Sequence, residues 1–336
     1  MTRKSIWYLA VSLLILSSCG NDPLDIDASN VEVDIVFTDI NTIIMEADST
    51  ELIKQHNLLF DEKQDIYSYL IGYCMSIGNV PDTAFYNSIM LFRADSTIQS
   101  LAKHIKLNFL DRTDMEANII DAFKHLKFHL PTANIPTDIV YLNSLYRSGV
   151  FCTETEIGIG LEQFLGADND VIKKLNAQVY YDWMKKGMEP EFLERDVLTG
   201  WIETHCVDDL DGSLAEHMIR WGKIIYLTEA AYPDVSEHII MRYTEADYTW
   251  ATENEAAFWE YLVTEKLLFT SDDRTIRNMV GDGPFTPGLP EENDTDRLGQ
   301  YLGWRMVHKY MEKNEVTVEE MVNTPYNSIL QEYEVE

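Results

Sequence analysis

The feature that most limits what this chain can fold into is a series of helix-start signals, each set ahead of an apolar stripe. In a capping box a Ser or Thr hydroxyl accepts from the amide three residues on, while a Glu there reaches back to the cap's own amide. Four such pairs occur: Thr113 with Glu116, Ser213 with Glu216, Thr252 with Glu255, and Thr317 with Glu320. Apolar residues at helical spacing follow them, as Ile119, Phe123, Leu126 and Leu130, then Leu214, Met218, Trp221 and Ile225, then Phe258, Leu262 and Val263. Leu298, Leu302 and Met306 mark a further helix, and Pro131 closes the first, because a residue before proline is pushed out of the helical region. From about residue 170 onward the pattern is helical throughout.

Strand signals are confined to the first half. Val31–Phe37 alternates and then turns fully apolar, as a half-buried strand does. Asp138–Leu142 and Ile157–Leu161 read as strands with a turn between them. Helical spacing fills 51–60, 64–77 and 82–107. The expected class is α+β, mostly helical, with a small β-sheet in the N-terminal half. Gly281–Asp294 is the one long loop rich in Gly and Pro.

The N-terminus reads as a secretion leader. Arg3 and Lys4 precede an apolar run from Ile6 to Leu16, and Leu16-Ser17-Ser18-Cys19 follows where cleavage belongs. The run is too short to span a bilayer, which takes roughly 20 apolar residues. The expected organisation is a leader over 1–18, a lipidated Cys19 with a polar tether over 19–30, and one globular domain over 31–336. With two or more acyl chains, Cys19 would hold the protein firmly to a membrane.

Composition excludes one partner class. Asp and Glu number 57 against 26 Lys and Arg, for a formal net charge of −31. Nucleic-acid binding rests on neutralising phosphates with cationic side chains, so no nucleic-acid partner is expected. Membrane attachment must come from the lipid and not from charge. Cys74, Cys152 and Cys206 remain beside Cys19; they fit no zinc spacing and read as small buried hydrophobes, with no disulfide pairing assigned.

Motifs for catalysis are weak. Asp121, His125 and His129 fall one helical turn apart, a spacing that could hold zinc if a further ligand arrived, but Leu126 stands where a metallopeptidase glutamate would be. The bland reading is a polar stripe, with His129 placed well for the helix dipole. Ile202-Glu203-Thr204-His205-Cys206 has the length of a zincin motif whose two metal-binding histidines are replaced. Asp208, Asp209, Asp211 and Gly212 fail the calcium-loop pattern, with Met218 where its glutamate belongs. The sequence contains no GxSxG, P-loop or GxGxxG. No cofactor is expected. Tryptophans crowd the region from 200 to 310, and Pro284, Phe285 and Thr286 of the long loop, with Trp304, form the candidate partner-binding surface.

Several blocks in order carry a family resemblance: DIVYLNSLYRSG (138–149), GIGLEQFLGADND (158–170), GKIIYLTEAAYPD (222–234), YTEADYTWATENEAAFWEYLVTEKLLFTSD (243–272), DGPFTP (282–287) and RLGQYLGWRMVHKYME (297–312). Together with the Cys19 segment they resemble the gliding-motility-associated lipoprotein GldB family of Bacteroidetes, over roughly 31–336. The resemblance implies a non-catalytic cell-envelope lipoprotein of the gliding machinery, linked to type IX protein secretion, with protein partners in the envelope. Its lipid would face the periplasm; Gly20 after Cys19, in place of the aspartate that retains many lipoproteins at the inner membrane, favours the outer membrane. The family is not known as an enzyme, so it supplies no catalytic residues. It also implies a zincin-like layout without the metal motif. The rival readings are a degenerate or surviving metallopeptidase-like hydrolase, using Asp121, His125 and His129 or His205 and Cys206, and a glycan- or peptide-binding envelope lipoprotein.

Overall fold

The computed structural model describes residues 24, 26–77, 82–289 and 294–335. The leader and Cys19 lie outside the described residues. Four strands form one mixed sheet: β1 (Val36–Asp39), β2 (Asp138–Leu142), β3 (Val150–Cys152) and β4 (Glu156–Gly160), in the order β1-β2-β4-β3. β1 pairs parallel with β2, β2 parallel with β4, and β3 antiparallel with β4. The α+β class, mostly helical with a small N-terminal sheet, holds.

The alternation of side chains along a strand divides the core in two. From β2, Val140 and Leu142 enter a cluster built by the N-terminal helices, with Ile40, Leu52, Ile66, Tyr67 and Phe85. Ile139 and Tyr141 point the other way, with Ile157 and Ile159 of β4, into a larger cluster built mainly by the later helices. The sheet is therefore the middle layer between two helical layers. Four helices dominate the larger layer: α1 (Thr113–His129), α2 (Leu193–His205), α3 (Leu214–Ala231) and α4 (Leu298–Lys313).

Local signals and structure diverge at instructive places. The boxes at Ser213 and Thr317 form as expected. Thr113 is instead the first helical residue, behind Arg112, and Glu116 accepts from the Tyr141 hydroxyl at 3.1 Å. Thr252 lies inside the Glu245–Glu253 helix, whose cap is Thr244. Val263, expected inward, is exposed. The first strand begins at Val36, not Val31, because its register follows Asp138–Tyr141 of β2. Within the stretch read as a tether, Leu24 and Ala28 are buried. The folded body therefore takes in part of the stretch expected to be tether.

Candidate interaction site at the 281–297 loop

The long loop is fixed at its base and open at its tip. The Thr286 amide donates to the Thr295 carbonyl at 2.9 Å, and its hydroxyl accepts from the Leu298 amide at 3.0 Å. That second bond caps α4 from a distance, because Arg297 before it offers no side-chain cap. The Gly283 amide donates to Asp296 Oδ2 at 3.0 Å. Gly288 turns the chain at φ 114°, and a Cβ there would strike the Tyr261 ring at 2.2 Å, so only glycine fits. Between these anchors Pro284 is exposed, and Phe285 is 53% exposed.

Arg297 is the charged post that holds this region. It is buried with φ 52°, a left-handed conformation uncommon for a side-chain-bearing residue. Its guanidinium reaches Asp296 at 2.9 Å, Asp282 at 3.3 Å and the Arg242 carbonyl at 2.9 Å. Burial works against its charge, but Asp296 and Asp282 outweigh burial and hold the guanidinium above its ordinary range. Arg242, also left-handed at φ 58°, meets Asp196 at 2.9 Å and the Gly187 carbonyl at 2.8 Å. The Tyr243 hydroxyl donates to the Asp296 carbonyl at 2.5 Å.

These groups line a cleft of about 220 Å³ together with Met184, Lys186, Phe192 and Asp247. Both arginines are already matched by carboxylates. Lys186, the third cation of the lining, is paired with Asp294 at 2.6 Å, so the cleft offers matched charges and not a free cation for an anionic ligand. Chemically, the arrangement suits recognition: a loop held at its base presents the exposed Phe285, and Asp282 and Gly283 of the same loop line the cleft.

The expected site residues separate. Pro284 and Phe285 lie at the loop surface, and Thr286 is buried as its anchor. Trp304 is 1% exposed, with its indole N–H donated to Glu229 Oε2 at 2.8 Å, and so is core support and not contact surface. Glu229 Oε2 also meets His308 Nε2 at 2.6 Å. Sequence reasoning missed Arg242 and Arg297. The available signal was the scarcity of cations in an acidic chain, which makes a buried arginine with paired aspartates conspicuous.

The alternative metal set does not assemble. His125 Nδ1 lies 2.9 Å from the Asp121 carbonyl and 3.4 Å from its carboxylate. His129 lies one turn on with Nε2 buried and without a hydrogen-bond partner. Among the described residues no group of three His, Cys, Asp or Glu side chains is placed to hold a metal ion. His205 stacks on Trp201 at 3.7 Å, and burial pushes the Cys206 thiol up to about 12, far from a reactive thiolate at neutral pH. Cys74, Cys152 and Cys206 are free thiols. Among the described residues no helix is long and apolar enough to cross a membrane.

No curated protein and no solved structure matches the chain. A family model described as gliding motility protein GldB does match, over residues 21–335, nearly the whole chain. The chain belongs to the GldB family of gliding-motility lipoproteins.

Proposed function

We propose that the protein is a non-catalytic, lipid-anchored component of the gliding machinery, linked to type IX secretion and acting by protein–protein contact through the 281–289 loop. Family membership supports the machine and a cell-envelope location. Anchoring at Cys19, with the lipid in a membrane facing the periplasm and the outer membrane favoured, rests on the leader's residue pattern. The observation that carries the contact surface is the pairing of a pinned loop base with an exposed Phe285. Thr286 and Asp296 fix the backbone, so little ordering entropy is lost when Phe285 enters a partner pocket.

The test is capture of envelope proteins by a photo-crosslinker in the loop, with wild-type and Phe285→Ala chains matched for melting temperature. Loss of one defined crosslinked partner in the variant supports the reading. Unchanged capture with the fold intact overturns the loop as the contact surface. Metal content of the purified domain tests the hydrolase reading separately, and near-stoichiometric zinc would replace the non-catalytic role.

A further inference from the structure

The described chain starts hard against the core. Leu24 is 4% exposed and belongs to the larger hydrophobic cluster. The strip that follows runs along the end of α1. The Glu32 carbonyl accepts from Lys127 Nζ at 3.0 Å, and Asp27 lies in the neighbourhood of His125. The next two helix residues, Phe128 and His129, open a mostly apolar groove of about 430 Å³ with Pro131, Met311, Val316 and Val318, edged by Thr317 and Glu319. Phe128 is 46% exposed at its mouth. His129 adds no charge there, because burial, with His125 nearby, pulls it down to about 4.

We infer that this end of α1 is the membrane-facing end of the molecule, with Phe128 and the groove resting at the headgroup–acyl boundary of a zwitterionic bilayer. The inference rests on the reading of Cys19 as the lipid anchor. Cys19 lies five residues before Leu24, and an extended chain reaches about 3.5 Å per residue, so the anchor lies within roughly 17 Å of Leu24. A reach of that size keeps the lipid on the Leu24 side of the molecule. Asp27 is three residues further and already beside α1. The surface held over the membrane is therefore the one that offers an exposed aromatic and an apolar groove, the side chains that settle into an interface. A chain of net charge −31 gains nothing from anionic headgroups, which makes apolar contact with a zwitterionic lipid the fitting mode.

A control position lies at the far end of the fold. His129 meets the Ala230 backbone at the end of α3, whereas the Leu268 carbonyl accepts from Ala215 at its start. An 18-residue helix is about 27 Å long, so Phe269, 69% exposed, lies well away from the groove. The experiment places benzoylphenylalanine at 128 or at 269 in the full lipidated chain, reconstituted in phosphatidylethanolamine–phosphatidylcholine vesicles. After irradiation, lipid adducts at 128 are expected to exceed those at 269 several-fold. Equal labelling on a chain whose Cys19 peptide carries the lipid overturns the orientation. So does capture of a second protein by position 128 in native envelopes, which makes the groove a protein site. A Cys19 peptide without lipid removes the anchor reading itself, and the orientation with it. Phe128→Ala, at a half-exposed position, is expected to melt as wild type and to lower vesicle retention of the lipidated chain.

Discussion

Gly222 of α3 and Gly303 of α4 meet backbone to backbone. A Cβ on Gly222 would lie 2.2 Å from the Gly303 carbonyl oxygen, and one on Gly303 would lie 1.8 Å from the Met218 carbonyl oxygen. No side chain separates the helices there, so α4 packs on α3 backbone to backbone. Gly303→Ala must push the helices apart at a site with no flexible neighbour to yield. The expected loss is about 3 kcal/mol, or roughly 6 °C in melting temperature for a domain of this size. A melt within experimental error of wild type would mean that the helices do not cross this closely.

Glu162 makes the fold sensitive to alkali. It is fully buried in the helical turn that follows β4; Oε1 takes the Ser144 hydroxyl and the Tyr146 amide at 2.9 Å, while Oε2 has no partner. Burial pushes its carboxyl above the ordinary value of 4.5. The folded state thus holds a proton that the unfolded chain releases. Its contribution is fully present below about 4.5 and is lost as pH rises through the raised value. Glu162→Gln keeps the shape and removes the titration. Urea melts at pH 5 and pH 8 should show wild type weakening relative to the variant, and parallel behaviour would place a charged carboxylate in the native core.

His129 acts in the opposite direction. Burial depresses its imidazole from 6.5 to about 4, so the unfolded chain takes up a proton before the folded one does. Stability from this residue is present above pH 6.5 and drains away as pH falls through about 4. His129→Phe, of similar shape and without a proton site, should flatten acid unfolding between those limits. If both proteins lose stability equally there, the ring is solvated in the folded state.

Helices were legible where the signal was local, and sites were not where the partner is distant. Ile119, Phe123 and Leu126 are all buried as their spacing predicts. The boxes at Ser213 and Thr317 close because their glutamates have no better partner nearby. Glu255 is drawn away by Tyr301, Arg305 and Tyr333, which come from elements 46 or more residues downstream. Glu116 goes to Tyr141 of the sheet. The same limit hid the site. Phe285 could be read from a Gly- and Pro-rich loop, but Trp304 could not be sorted from it, since burial of an indole depends on Glu229 lying opposite. Arg242 and Arg297 sit 55 residues apart and meet only in the fold.

The loop itself offers a paired test of presentation against contact. Phe285 is exposed and anchors nothing, so Phe285→Ala should leave the melting temperature unchanged and weaken partner capture. Thr286 is buried and supplies the acceptor for the Leu298 amide, so Thr286→Val removes a cap that no neighbouring side chain replaces. That loss should cost about 1 kcal/mol of stability. It should also weaken capture, because the tip is then no longer held while Phe285 remains. Serine at 286 keeps the hydroxyl and should restore both properties. If valine destabilises the fold without touching capture, Phe285 binds through its own contacts alone, and the pinned base serves only α4.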